Sequence, residues 1–325
     1  MAIKSYKGFD KNLRCRDFQY KIGGIYEMDG EIKLCSRGFH ACESPFDVFD
    51  YYTMIDSRFC EVEQDGNISK WDRGTKICSS KIKIKAELKL ADMINLGVEW
   101  LKEITSPEKI KTSIKDNSSG NNAQIGSSGD GAKIGSSGDG AKIGSSGDGA
   151  KIGSSGDGAQ IGSSGNNAKI GSSGYGAQIG SSGYDAQIGS SGNNAQIGSS
   201  GNNAKIGSSG DGAKIGSSGY DAQIGSSGDG AQIGSSGYGA KISSSGYGAK
   251  IDSTGEDCVI MCAGINSVAK ASKGSWVTLS EWSYSEGKQR YIPICVKTEF
   301  VDGEKIKADT YYSLKGGVFV EWIND

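Results

Sequence analysis

The sequence predicts a mainly β protein, in which a central β-solenoid lies between an α+β N-terminal domain and a small all-β cap. Two observations support this fold class. From Asn121 to Gly255 one nonapeptide recurs fifteen times, with the consensus [DNY]-[GND]-A-[KQ]-I-G-S-S-G, and a fixed period of this kind is typical of solenoids. The flanking segments carry apolar residues at strand and helix spacing. The predicted domains are therefore residues 1–120, 121–255 and 256–325.

The nine places of the repeat have different predicted roles. Place three is always Ala and place five always Ile, which a flexible Gly/Ser linker has no reason to maintain. Residues two apart in a strand share a face, so Ala and Ile should point inward and the Lys or Gln at place four toward solvent. Gly, Asn and Asp at places nine, one and two suit the positive φ angles of tight corners.

The number of nonapeptides in one coil is either two or three. Nine residues are too few to complete a circuit, whereas eighteen supply two short strands and two turns. Each strand would then stack on its neighbours at about 4.8 Å per step. We predict two nonapeptides per coil, and we expect such a rod to unfold from its ends unless they are covered.

The repeat itself offers a candidate binding surface rather than an ion site. Its S-S-G-D-G turns lack the regular acidic ligands of calcium-binding nonapeptides. Tyrosines occur at place one only in the later half of the array, and exposed aromatic side chains are enriched in binding surfaces. Stacking of the tyrosines on one another is the alternative. The candidate surface comprises Tyr175, Tyr184, Tyr220, Tyr238, Tyr247, Lys241 and Lys250.

The N-terminal segment predicts alternating strands and helices. Strands are expected at 20–26 and 31–35 around an Asp29-Gly30 turn, at 58–63, and at 77–88 after an Asp65-Gly66 turn. Ser44 and Pro45 should begin a helix that ends at residue 52, with Ser44 as its N-cap. An amphipathic helix is expected over 91–104, and Ser106-Pro107 should begin another.

The C-terminal segment begins with degenerate repeats. Cys258 and Ile260 occupy places three and five, and Trp276 and Thr278 are the last pair assigned to those places. Strands are predicted at 276–282, 291–300, 308–314 and 318–322. Together they should form a cap that closes the end of the solenoid, because uncapped sheet edges invite polymerisation.

Cysteines and the single histidine offer no strong catalytic or metal signal. Eight cysteines scattered through 325 residues suit a reducing compartment. Cys35, His40 and Cys42 lie close in sequence, but their spacing lacks the paired knuckles of zinc sites. We therefore predict no metal, no cofactor and no catalytic constellation. His40 is the one candidate pocket residue, and a packed core histidine is the alternative.

Charge and hydropathy indicate a soluble intracellular protein. The formal charge is -2, so binding of nucleic acid through bulk positive charge is not favoured. No run of about 18 apolar residues indicates a membrane span. The first twenty residues carry charges where a signal peptide needs an apolar core. We expect a cytoplasmic location.

Both ends of the chain resemble one protein family. The stretch from Tyr6 to Tyr52, which includes the motif GFHAC, is similar to the N-terminal domain of a family of phage and prophage proteins in low-GC bacteria. The endings WVTLSEW and VDGEKIKADTYYSLKGGVFVEW are similar to the tail of that family, with Gly/Ser repeats between. The resemblance implies a phage origin and location in the host bacterial cytoplasm, but no activity.

A second resemblance concerns the Gly38-Phe39-His40-Ala41 strand followed by Tyr51-Tyr52. ADP-ribosyltransferase-like domains use a similar strand and helix to hold nicotinamide, but a partner Glu and a Ser-Thr-Ser element are missing here. Three function classes follow. The first is a non-enzymatic binding protein that contacts a host protein or defence complex, as an anti-CRISPR inhibitor would. The second is a virion or assembly component, which could be a trimer. The third is an ADP-ribosyltransferase-like enzyme.

Overall fold

The computed structural model describes residues 2–54, 57–71, 75–104, 117–118 and 120–323. The chain divides into two compact units, Met1–Trp100 and Leu101–Asp325, and each is described by itself. The predicted helix beginning at Ser106-Pro107 lies outside the described residues. Among the described residues, no helix has the length and apolar character needed to cross a membrane.

The first unit is an antiparallel sheet with short flanking helices. Its strands are β1 (Ile3–Phe9), β2 (Arg14–Cys15), β3 (Phe18–Gln19), β4 (Ile25–Glu27), β5 (Phe39–Cys42), β6 (Arg58–Lys70) and β7 (Lys76–Leu88). A 3₁₀-helix spans Phe46–Asp50, and helix α1 spans Leu90–Ile104. The sheet order β4-β7-β5-β1-β6, with a further β6–β7 pairing, closes four strands into a ring.

A buried polar network ties the four strands of this ring together. Gln64 of β6 is fully buried, and its Oε1 accepts the Ser5 hydroxyl of β1 at 2.8 Å. Its Nε2 donates to the Phe39 carbonyl of β5 at 2.8 Å and to the Ser79 hydroxyl of β7 at 3.1 Å. Because each partner lies on a different strand, the amide fixes their relative positions.

Several predicted N-terminal elements differ from the structure. The segment predicted as a strand at 31–35 forms only a turn with an isolated bridge from Lys33 to Arg37. The segment after Ser44 is a 3₁₀-helix whose N-cap residue is Pro45 and not Ser44, and no side chain caps it. The Asp65-Gly66 turn is a bulge within β6, because Gly66 has a φ of 76° while strand pairing resumes at Ile68.

The second unit contains two parallel sheets built from alternate repeats. One contains β8 (Asn117–Ser118), β10 (Lys133–Ser136), β12 (Lys151–Ser154), β14 (Lys169–Ser172), β16 (Gln187–Ser190), β18 (Lys205–Ser208), β20 (Gln223–Ser226), β22 (Lys241–Ser244) and β24 (Val259–Cys262). The other contains β9 (Gln124–Ser127), β11 (Lys142–Ser145), β13 (Gln160–Ser163), β15 (Gln178–Ser181), β17 (Gln196–Ser199), β19 (Lys214–Ser217), β21 (Gln232–Ser235), β23 (Lys250–Ser253) and β25 (Val268–Ala271).

The pairing register confirms two nonapeptides per coil. Lys151 pairs with Lys169 and Ile152 with Ile170, a step of eighteen residues that is kept along both sheets. The solenoid extends for about nine turns over residues 124–279, and the predicted mainly β fold is therefore confirmed. Backbone bonds also join successive coils, such as the Lys142 N–H to the Ala123 carbonyl at 2.8 Å.

The solenoid core contains one residue more per repeat than predicted. Ala and Ile at places three and five are buried as expected, and the isoleucines from Ile125 to Ile260 belong to one continuous core. Ser at place seven is also buried from Ser136 onward, because it shares the inward face with Ala and Ile. Thirteen of these buried hydroxyls, Ser145 to Ser253, have no hydrogen-bond partner.

Glycine and Asx residues have two distinct roles at the corners. Only place two has a positive φ, near 57° at Asn122 and 66° at Gly131. The prediction of positive φ at places nine and one is wrong. Place nine needs Gly for a different reason, since a Cβ at Gly174 would lie 2.0 Å from the Gly156 carbonyl oxygen of the preceding coil.

Antiparallel hairpins end both solenoid sheets. One hairpin is β26 (Trp276–Ser285) with β27 (Arg290–Phe300), and the other is β28 (Tyr312–Lys315) with β29 (Val318–Glu321). Val277, not Thr278, continues the isoleucine column by pairing with Ile260, so the last assigned pair is wrong by one residue. A one-residue shift reverses the alternation, and Trp276 consequently faces outward with 49% of its surface exposed.

Candidate functional site

The outward surfaces of the two solenoid sheets differ although their repeats are the same. We define the open face as places four and six of β10 to β24, and the covered face as the same places of β9 to β25. On the open face Gln187 and Gly189 are exposed. On the covered face Gln178 and Gln196 are 6% and 8% exposed, and the glycines at place six are buried. The two faces therefore differ in how much of their outward surface is exposed, with more of it exposed on the open face.

The open face carries a row of mostly basic residues at place four beside a row of glycines at place six. It carries five lysines and two glutamines at place four and no carboxylate at place four or six; the lysines are Lys133, Lys151, Lys169, Lys205 and Lys241. None of these lysines forms an ion pair with a described residue. A Cβ at Gly153, Gly171, Gly189 or Gly207 would meet nothing within 4 Å. These glycines are thus not required by packing inside the chain.

An apolar cluster continues the open face at its C-terminal end. Lys241 pairs in register with Val259, Val259 with Trp276, and Trp276 with Phe300. Val259, Met261 and Trp276 are each about half exposed, and the Trp276 and Phe300 ring centroids lie 5.1 Å apart. Val259 and Met261 also line a shallow groove of about 1110 Å³ that runs along the open face from Lys151.

The predicted tyrosines lie on two different corners. Tyr184, Tyr220 and Tyr238 precede strands of the open face, whereas Tyr175 and Tyr247 precede strands of the covered face. All five are 48–59% exposed. Among the described rings, Tyr220 and Tyr238 form a T-shaped pair with centroids 6.4 Å apart.

Other corner tyrosines make polar contacts along the rod. The Tyr175 hydroxyl accepts from Asn194 Nδ2 at 2.7 Å, and Tyr247 accepts from Asn266 in the same way. Both bonds join place one of a coil to place two of the next, so part of the predicted surface also braces the corners.

The two predicted lysines are on opposite sheets. Lys241 is exposed on the open face. Lys250 lies on the covered face, where its Nζ is 4.4 Å from the Tyr311 ring centroid and 5.6 Å from that of Trp322. Nearby, Asp252 accepts from Lys270 at 2.8 Å and from the Tyr311 hydroxyl at 3.2 Å. Lys250 therefore packs against the C-terminal segment.

The first unit contains a separate cavity of about 960 Å³. Its walls come from β1, β2, β3, β4, β5 and β7 and from Tyr51 and Tyr52 after the 3₁₀-helix. Phe18, Tyr20 and Tyr26 form an aromatic wall, with ring centroids 4.8–5.4 Å apart. His40, the residue singled out from the sequence, lines this cavity.

Lys7 is the central charged group of the cavity, and sequence reasoning missed it. The residue is 4% exposed and lies on the same face of β1 as Ser5 and Phe9. Its Nζ donates to the His40 carbonyl at 3.0 Å and lies 3.4 Å from Cys15 Sγ. Burial lowers the pKa of this ammonium group. The only sequence signal was a lysine that alternates with Ser5 and Phe9 in the IKSYKGF segment.

The histidine beside Lys7 is held in its neutral form. His40 Nε2 accepts a hydrogen bond from the Cys35 backbone N–H at 2.9 Å, which requires an unprotonated nitrogen. Burial, followed by the nearby charges of Lys76 and Lys7, lowers the pKa of His40 to about 4. Burial also raises the pKa of the Cys42 thiol. No group of three or more His, Cys, Asp or Glu within the described ranges has the geometry to hold a metal.

Comparison with known proteins identifies one related domain. Residues 3–96, under a third of the chain, match a family model described as a domain of unknown function (DUF7666). The match covers the strands and tyrosines that line the cavity. No curated protein and no solved structure matches the chain.

Proposed function

We propose that this protein acts by binding, with the solenoid as a stiff support and the open face as its contact surface for an acidic protein partner. The observation that carries the proposal is the row of outward glycines with empty space above them. Glycine in a strand interior costs about 0.5–1 kcal/mol relative to alanine, and it often marks the close approach of another molecule.

The charge and the apolar pattern of the open face support an acidic partner. Five unpaired lysines beside the glycine row complement a surface rich in Asp and Glu. The apolar cluster at Trp276 and Met261 adds an anchor of the kind that dominates binding energy at interfaces. The partner should therefore present carboxylates along one side and an apolar patch at one end.

Capture from an extract of the host tests this proposal. The full chain would carry a photo-crosslinking residue at Gly189, where added side-chain atoms meet nothing in the chain. We expect one acidic protein to be crosslinked and its recovery to fall at least about tenfold when Lys151, Lys169 and Lys205 are changed to Gln.

A matched variant controls for net charge. Lys21→Gln, Lys288→Gln and Lys315→Gln remove three exposed lysines that are not residues of the open face and should leave capture unchanged. Equal losses in both triple variants would show that bulk charge alone drives capture. Undiminished capture by the open-face variant would contradict the proposal.

The narrower hypothesis is that the partner is a host defence complex and the protein a phage-encoded inhibitor acting in the host cytoplasm. It rests on the resemblance of the chain ends alone, and recovery of a nuclease or defence subunit at Gly189 would support it. Recovery of virion proteins only would favour the assembly role. Calorimetry with NAD tests the ADP-ribosyltransferase-like alternative, which requires binding in the first unit.

A further inference from the structure

The cavity of the first unit presents an excess of positive charge to its interior. Its lining includes four cationic side chains, Lys7, Arg16, Arg37 and Lys76, against the carboxylates of Asp17 and Glu27. Glu27 is already engaged by Lys81 at 3.2 Å.

Lys7 has no anionic partner among the described residues. An ammonium group can donate three hydrogen bonds, and its contacts here are one carbonyl and one thiol. A buried charge without a counter-ion is costly, and the protein tolerates it only where another requirement keeps it.

The surroundings of Lys7 favour a planar molecule. Its Nζ lies 5.4 Å from the Phe9 ring centroid and 5.9 Å from that of Tyr20. Tyr20 in turn packs against Phe18 and Tyr26, and Phe18 is about half exposed at the mouth of the cavity. Aromatic side chains arranged in this way pack against flat rings.

Three residues of the first unit that carry a side chain have positive φ angles, and two of them line the cavity. Leu13, Arg16 and Cys35 have φ angles of 60°, 54° and 64°, a region that residues with a side chain seldom adopt. Arg16 and Cys35 line the cavity. Such strain clusters at ligand sites, where the surrounding structure imposes it.

We propose that this cavity binds a small organic anion with an aromatic ring, whose phosphate or carboxylate pairs with Lys7 and whose ring packs against Tyr20, Tyr26 and Phe18. Binding supplies the missing counter-ion, so it restores the protonated state of Lys7 that burial disfavours. Arg16 at the rim adds a second cation that steers the anion inward.

Four probes separate the contributions of charge and ring. Phenyl phosphate carries both features, benzoate carries a carboxylate on the ring, phenol lacks the anion, and inorganic phosphate lacks the ring. The chain has a single histidine, so the one Cε1–H resonance in its proton spectrum belongs to His40 and reports from the cavity wall.

We expect phenyl phosphate or benzoate to shift the His40 resonance saturably. Phenol and inorganic phosphate should bind at least about tenfold more weakly. The stronger of the two anions identifies the head group. If none of the four probes shifts the resonance, or if phenol binds as tightly as both anions, the proposal is wrong.

Variants of the full chain test whether Lys7 and Arg16 bind the anionic group of the ligand. Lys7→Met should remove the advantage of the anion over phenol, whereas Lys85→Met, which breaks an exposed pair with Glu63 outside the cavity lining, should not. Arg16→Gln changes an exposed side chain and should weaken only the anions, which keeps the test usable if Lys7→Met does not fold. Unchanged anion binding in both Lys7→Met and Arg16→Gln would overturn the proposal.

Discussion

The open and covered faces of the solenoid are two surfaces made from one repeat. Both present Lys or Gln at place four and Gly at place six, and their strands have the same inward Ile and Ser. Yet Gln187 is exposed, while Gln178 in the preceding strand along the chain, which belongs to the other sheet, is 6% exposed. The difference teaches that the role of a repeated residue is set by the sheet to which it belongs and not by its place in the nonapeptide.

The repeats of both sheets share one backbone constraint, the close approach of successive coils at the place-nine glycine. Mutation of this glycine should therefore destabilise the solenoid most, whichever sheet the repeat belongs to. Gly165→Ala and Gly174→Ala each place a Cβ about 2.0 Å from a carbonyl oxygen of the preceding coil. We expect each to destabilise the solenoid by about 3 kcal/mol or more, because backbone must move to relieve the clash. Urea unfolding followed by circular dichroism measures this. A small effect at either site would disprove the close stacking of coils.

Isoleucines of the two sheets should also behave alike. Ile179→Ala and Ile188→Ala remove buried side chains that face one core, so each should cost about 2–5 kcal/mol. Chemical denaturation of both variants provides the measurement. A cost at Ile188 near zero would mean that the open sheet contributes little to the core.

Substitutions at place six should affect stability differently on the two faces. Gly180→Val puts a branched side chain into a buried position on the covered face and should cost about 1–3 kcal/mol. Gly189→Val on the open face adds a Cβ with nothing within 4 Å. It should change stability by about 0.5 kcal/mol or less, or increase it, since Val favours strands. Thermal melts of the pair decide the matter; equal destabilisation would remove the distinction between the faces.

Inward serines should show a smaller effect of the opposite sign. Ser181→Ala and Ser190→Ala each remove a buried hydroxyl that has no partner, so stability should stay the same or rise by about 1 kcal/mol. The same denaturation series measures it. Clear destabilisation would indicate a hydrogen bond to these hydroxyls.

In the first unit, His40 gives a prediction about pH. Its pKa is lowered to about 4 against an ordinary value near 6.5. The folded protein therefore binds this proton less readily, and the free energy of unfolding should fall as pH falls from about 6.5 to about 4. NMR titration of the wild type checks it, with His40→Gln as the control in pH-dependent melts. A His40 pKa near 6.5 would contradict the buried neutral state.

Much of the solenoid follows from the sequence. The invariant Ile and the eighteen-residue coil could be predicted because one apolar residue per nonamer stabilises a strand only when strands stack. The alternation of side chains also implied the inward serine at place seven, but a polar residue there conceals the pattern. The difference between the faces could not be predicted from the sequence, because the repeats of both sheets carry the same residue types at places four and six.

The cavity was less accessible to sequence reasoning. Strand β1 contains Ser5 and Lys7 where a buried strand normally has apolar residues, so its pattern indicated no core position. The strand Phe39–Cys42 was predicted only through the resemblance of its residues to ADP-ribosyltransferase-like domains. The contact between Cys15 Sγ and the Tyr52 hydroxyl, at 3.1 Å, joins residues 37 positions apart in the sequence. Contacts at that separation depend on the closed ring of strands and have no local signature.

The alternation of nonamers between two sheets also constrains how such an array can change in length. Gain or loss of two nonamers inserts or deletes a full coil and leaves every later residue on its original side. Gain or loss of a single nonamer transfers all downstream strands to the opposite sheet, so Lys205 and Lys241 would exchange surfaces with Lys214 and Lys250. Natural length variants that keep one side for contact should therefore differ by even numbers of repeats.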